Sequence, residues 1–254
     1  MAAMPVPPTP QPISEAAPLS EPARVLNTFF APSKTFTDLR RSASWWLPFL
    51  ISAIVSIAFV YVVDQKVGFR KVAENQLRAQ PKQADQLERM PADQREKNMQ
   101  QRTAFTKGFS YGFWLFILVW SAIVTAVLFA TLKFGLSADV KFKTLFALVI
   151  FAGLPGLLKA LLAMVSILAG VAGDSFTFQN PVATNPGYFV DPVTNPALAS
   201  FLTSFDVFTI WTLVLTAIGI TCISKIKSGT AYAVVFGWYA VVVLVGVGLA
   251  AAFA

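Results

Sequence analysis

Lys159 is the one charged residue inside the long apolar run 144–173, and an ionisable group in such a run costs about 3 kcal/mol on insertion scales. A buried charge of this kind marks a pathway, a relay or a counter-ion site. The alternative is that its stem carries the ammonium to an interface or to a bond with a neighbouring helix. Both readings stay open here. Pro155, one turn earlier, removes a backbone donor and frees carbonyls as partners. No second charge lies deep in an apolar run to complete a relay. Catalysis needs a nucleophile, a base and a charge stabiliser close together. Asp174 and Asp206 fall at expected helix ends, Cys222 stands alone, histidine is absent, and no apolar run pairs two acids one turn apart. Ser121, Thr125, Thr216 and Thr221 are expected to bond backbone or neighbouring helices. Metal and cofactor chemistry has no ligand set, so no catalytic, cofactor or metal residues are assigned and no enzyme is expected.

The elements that hold these residues are apolar. Residues 42–63, 108–132, 144–173, 207–224 and 228–254 contain no charge, apart from Lys159. A run of about 18 or more apolar residues is long enough to cross a ~30 Å hydrocarbon layer as a helix. No water is available there for backbone groups, and uninterrupted Leu, Val, Ile, Phe and Ala are not the alternation of barrel strands. The sequence therefore predicts an all-α integral membrane protein. It is a bundle of five transmembrane helices at about 45–63, 110–132, 144–172, 207–224 and 230–252. A short interfacial N-terminal helix precedes the first span, and a charged helical loop at 64–107 follows it. With 56% hydrophobic and 13% charged residues, the composition lies far from the soluble average.

Residues 1–23 hold seven of sixteen prolines and no apolar period, which reads as a disordered tail ahead of one membrane domain at 24–254. Pro32 and Ser33 resemble a helix start, with the Ser33 hydroxyl as cap. Phe36 and Leu39 share a face, while Lys34, Arg40 and Arg41 supply charge. One reading lays this segment on the headgroups, apolar side down; the other makes it a linker whose basic residues are topology signals. Trp45 and Trp46 suit the water–lipid boundary.

The 64–107 segment carries ten Lys/Arg and six Asp/Glu, with acid-before-base pairs Glu74/Arg78, Asp85/Arg89 and Asp93/Lys97. It predicts two or three short solvated helices, with Pro81 and Pro91 each at a first position. Pro155 should kink the third span. Between the third and fourth spans, Asn-Pro and Asp-Pro steps at 180, 185, 191 and 195 favour turns over helix. Phe176, Phe178, Tyr188 and Phe189 are expected to fold that loop onto the bundle. Lys133, Lys141 and Lys143 precede the third span, Lys225 and Lys227 precede the fifth, and the 174–206 loop has no basic residue. The positive-inside bias then predicts a cytoplasmic N-terminus and an external C-terminus, at the cost of exporting the basic 64–107 loop.

Three stretches resemble the bacterial branch of the Yip (Ypt/Rab-interacting protein) domain family. The first is Pro32-x-x-x-Phe36 with Arg40 and Arg41, then Trp45, Trp46 and Leu47-Pro48. The second is Leu154-Pro155, and the third is Asp206-Val-Phe208-x-x-Trp211 with Leu215 and Ile218-Gly219, followed by a basic turn. The resemblance covers about 24–254 and implies five membrane helices with a cytoplasmic N-terminus. Eukaryotic members bind prenylated small GTPases in vesicle trafficking, and the long charged loop departs from their compact pattern, so that role is not carried over.

The sequence thus points to a non-enzymatic, multi-pass protein of a bacterial cytoplasmic membrane that organises the bilayer or binds partners. With a net charge of +7, its expected partners are anionic lipid headgroups and proteins, a second copy included, and not nucleic acid. The alternative function is a small channel or transporter whose pathway passes Lys159 and the Pro155 kink.

Overall fold

The computed structural model describes residues 17–171 and 176–253. Residues 1–16 of the expected tail, and Asp174, lie outside the described residues. Among the described residues all regular structure is helical. Helix α1 (Glu21–Phe30) begins inside the stretch read as tail, because Ser20 accepts from the Ala23 amide and Pro22 sits in the first turn. α2 (Pro32–Asp38) starts at Pro32, so Ala31 occupies the capping position expected of Ser33. α3 (Trp46–Lys66) is the first apolar helix, and the charged segment folds as α4 (Phe69–Arg78), α5 (Pro81–Glu88) and α6 (Ala92–Tyr111). Pro81 takes a first-turn position as expected, whereas Pro91 caps α6. Glu74 pairs with Arg70 at 3.1 Å, and Arg70 reaches Glu96 at 2.8 Å.

α7 (Phe113–Ala130) continues into a π-helical turn at Thr131–Gly135. α8 (Phe142–Ala152) and α9 (Pro155–Leu168) form one apolar span with a break at Pro155. Around the proline the chain tightens into three-residue bonds, Leu154 N to Phe151 O and Leu157 N to Leu154 O. The following loop contains α10 (Pro196–Thr203), where Asn195-Pro196 opens a helix instead of the expected turn: proline is at home in a first turn. α11 (Val207–Ile223) and α12 (Ser228–Phe253) complete the chain.

Four helices are long and apolar enough to cross a membrane among the described residues: Trp46–Lys66, Phe113–Gly135, Phe142–Leu168 and Ser228–Ala252. The expected fourth span at 207–224 is not a straight crossing by itself. α11 has 17 residues, about 25 Å, and passes the same test only jointly with α10, from which it bends by 48°. With that pair the count reaches five.

α8 lies at the centre. Its Leu145, Leu148 and Phe151 are fully buried in one cluster with Leu128 of α7, Leu132 of the π-helical turn, Leu215 and Ile220 of α11, and Ala231 and Val235 of α12. Phe36 and Leu39 join this core with no exposed surface, so α2 turns its apolar face into protein instead of resting it on lipid. Lys34 of α2 and Arg40 and Arg41 of the turn after it stay exposed. The Thr125, Thr216 and Thr221 hydroxyls donate to backbone carbonyls in the preceding turn, as expected of such residues in apolar helices.

The bundle has two unlike ends. At one, α1 and α2 pack beside the turns carrying Lys133, Lys141, Lys143, Lys225 and Lys227. At the other, α4 meets the loop after α9: Phe176 is buried with Val63, Val72 and Ile167, and the Asn75 side-chain amide donates to its carbonyl at 3.0 Å. Phe178 stacks on Phe69 at that end, so the first part of the loop folds down as expected, whereas Tyr188 and Phe189, expected to do the same, stay exposed.

Candidate functional site

Two helix breaks face each other in the bundle, one at Pro155 between α8 and α9 and one at Asp206 between α10 and α11. Lys159 stands one turn into α9 and donates to Asp206 Oδ2 at 2.9 Å. Asp206 is 2% exposed, so the charge missing from the sequence argument exists; it lies at the mouth of the next helix. Its other oxygen caps α11, accepting the Phe208 and Thr209 amides at 3.1 Å each. The Thr184 hydroxyl also donates to Asp206 Oδ2, and the Thr184 carbonyl receives the Val207 amide at 3.2 Å. Beside them the Tyr239 hydroxyl of α12 donates to the Ser204 carbonyl at 2.6 Å.

The level of the pair follows from packing. Trp45 meets Phe146 edge-on with ring centroids 5.3 Å apart. Thirteen residues on from each are Ala58 and Lys159, which places Lys159 level with a point just past the middle of α3. Lys159 thus stands only four residues, about 6 Å, past the centre of the Phe142–Leu168 span, on the side that carries α4–α6.

An ionised carboxylate offers about four acceptor positions, and Lys159, Thr184 and two backbone amides occupy that number. The carboxylate is a fastening that ties α9, α11 and the connecting loop together. With its lone pairs engaged, Asp206 is poorly placed to accept a proton from a substrate.

A second buried charge cluster sits at the opposite end. Arg24 of α1 is 3% exposed and reaches Asp38 of α2 at 2.7 Å and Glu21 at 2.9 Å. Thr28 and Thr35 both donate to the Arg24 carbonyl, at 2.8 and 2.9 Å. These bonds close α1 and α2 into a hairpin, and Phe29 seats it on Trp211 with centroids 5.8 Å apart.

The remaining residues singled out from sequence fall into place around these clusters. Pro32 begins α2, exposed Trp46 opens α3, and buried Pro48 lies in its first turn, its carbonyl taking the Ser52 hydroxyl. Gly219 allows α11 to approach α8, since a Cβ there would lie 2.5 Å from Leu148 Cδ1 and 2.6 Å from its Cγ. Phe36, Leu154 and Leu215 bring all three resembling stretches into one core. Arg40 and Arg41 stay at the surface, away from the Lys159–Asp206 pair. Sequence reasoning missed Thr184, Tyr239 and the Arg24–Asp38 pair. An Asp immediately before an apolar run was the available signal for the cap.

Among the described residues no group of three His, Cys, Asp or Glu could hold a metal ion. No curated protein matches the chain, and no solved structure does. The family model of the Yip1 domain matches residues 26–250, a stretch that runs from the α1–α2 hairpin through the Pro155 and Asp206 breaks to the last helix. With that coverage, and with several helices apolar enough to cross a membrane, the chain is a multi-pass membrane protein that belongs to the Yip1 domain family.

Proposed function

We propose that this chain is a non-enzymatic protein of a bacterial cytoplasmic membrane that organises the bilayer or binds protein partners, a second copy of itself included. The observation that carries the reading is the use of its buried charges. Lys159, Asp206, Arg24 and Asp38 each hold one helix or loop to another, and the Asp206 carboxylate has no free acceptor position for chemistry.

In this reading the bent pair α10–α11 serves as the fourth of five crossings, and residues 24–254 act as one membrane domain. The basic end, with Lys133, Lys141, Lys143, Lys225 and Lys227, lies in the cytoplasm together with α1 and α2. The C-terminus and α4–α6 lie outside. On that side Lys107 pairs with Asp64 at 2.9 Å and Arg70 with Glu74 and Glu96. Exposed Lys34, Arg40 and Arg41 face anionic headgroups from the cytoplasmic side.

Membrane-impermeant labelling of single reporters at residue 20 and residue 253 tests the topology. Reporters modified from opposite sides support five crossings, and two reporters reached from one side refute them. Crosslinking in the native membrane tests the binding role: it should recover a defined protein partner or a dimer, and a chain that crosslinks to neither counts against it. A second reading, a channel or transporter, draws on the position of Lys159 on the wall of a cavity. It requires solute flux into reconstituted vesicles that Lys159→Met abolishes while the helices stay folded; no flux in either form leaves the scaffold ahead.

A further inference from the structure

Between α3, the α6–α7 helices and the α8–α9 span lies a cavity of about 680 Å³. Its long walls are apolar, with Phe49, Phe59, Phe113 and Leu157 among them. Serine hydroxyls such as those of Ser52 and Ser121 interrupt these walls, and the larger polar side chains, Gln76 of α4, Gln179 of the loop and Lys159, also reach the lining. On α3 the lining runs from Phe49 to Val60, about 16 Å at 1.5 Å per residue. That stretch straddles the middle of α3 and is roughly half the ~30 Å thickness of a hydrocarbon core.

The ammonium of Lys159 has three donors, and Asp206 Oδ2 accepts one of them. The side chain is 21% exposed and part of the cavity wall. In a hydrocarbon setting the remaining donors gain by meeting an acceptor. A purely apolar occupant would leave them unmatched, and a small soluble anion would leave the phenylalanine walls uncovered. A chain-bearing lipid with charged oxygens at its head satisfies both.

We propose that this cavity binds one anionic phospholipid, its acyl chain lying along the Phe49–Val60 wall and its phosphate oxygens accepting from Lys159. The site goes beyond the scaffold reading: it needs only that the chain is embedded in a bilayer, whether or not proteins bind it.

The test uses the full-length chain in detergent, with phosphatidylglycerol or phosphatidylcholine added, and native mass spectrometry as readout. One phospholipid should stay bound, with phosphatidylglycerol preferred roughly tenfold, because both lipids offer phosphate oxygens but only phosphatidylcholine brings a choline cation that the Lys159 ammonium repels. Gly156 lines the cavity, and a Cβ built on it meets nothing within 4 Å. Gly156→Leu therefore fills the space without touching the ion pair and should remove the bound lipid. Lys159→Arg keeps the cation and should keep the headgroup preference. Equal retention of the two lipids, full retention by Gly156→Leu, or a fatty acid or second protein copy in place of the phospholipid would each overturn the proposal.

Discussion

Removing the cation from the Lys159–Asp206 pair should cost more than any surface change in this protein. Lys159→Met keeps the length and apolar stem of the side chain but leaves the Asp206 carboxylate, 2% exposed, without its counter-charge. Breaking one side of a buried pair costs about 3–5 kcal/mol. The Thr184 hydroxyl and the α11 amides still serve the carboxylate, and the lysine is 21% exposed, so the lower end, about 3 kcal/mol, applies. At roughly 2–4 °C per kcal/mol for a chain of this size, the melting temperature should fall by about 6–12 °C. Asp206→Asn keeps a capping oxygen yet strands the ammonium, and should cost a similar amount. The double variant removes both charges and should melt nearer the parent than either single variant, with a coupling above about 2 kcal/mol. Helical circular dichroism during heating, in one detergent at one scan rate, measures this even where unfolding is irreversible. Single variants within 2 °C of the parent, or a double variant at the sum of the two losses, would refute the reasoning.

Three further outcomes are expected. Gly219→Ala should destabilise the bundle by about 1–3 kcal/mol, because the added methyl meets fully buried Leu148 and neither α8 nor α11 has room to yield; an unchanged melting curve would contradict it. Arg24→Met should undock the N-terminal hairpin, raising hydrogen exchange across 21–38 while exchange in α8 stays slow, since Asp38 would keep only Arg41 at 3.8 Å. Acid should loosen the hairpin α4–α6: the Arg70 guanidinium and then the Gln100 amide hold the Glu96 carboxyl below its ordinary value. A lowered folded-state value means the stabilisation is complete above the unfolded carboxylate range, about 4.3, and is lost as pH falls further through the folded value. Exchange of α4 amides should accelerate in that window in the parent and show no such pH step in Glu96→Gln.

The apolar spans were legible because crossing a slab of fixed thickness demands a minimum run length, which composition alone displays. The Pro155 break was legible for a covalent reason, since proline lacks the donor whatever surrounds it. The ion pair was not. Lys159 and Asp206 are 47 positions apart, and they meet only because breaks in two different spans sit side by side. Asp206 looked like a residue at a helix end, and it is one; that same position turns its carboxylate into the bundle. The face of α2 was legible as apolar, yet a pattern of Phe36 and Leu39 does not say whether lipid or protein covers it. Here the answer came from α8 and α11, distant in sequence. Helix α10 escaped notice because Asn195-Pro196 suits a turn and a helix start equally well.

The seating of the α1–α2 hairpin imposes an order on biosynthesis. Its Phe36 and Leu39 rest in a core shared with Ile220, Ile223 and Ala231, which leave the ribosome some 180 residues later. At about 5–20 residues per second, that interval lasts on the order of ten to forty seconds. Throughout it, the first-made segment has no permanent berth and its two fully apolar side chains await their cover. A nascent chain stalled before the final two helices would therefore leave Phe36 and Leu39 without the Ile220, Ile223 and Ala231 side of their cover, and the hairpin gains its seat only when α11 and the first turns of α12 arrive.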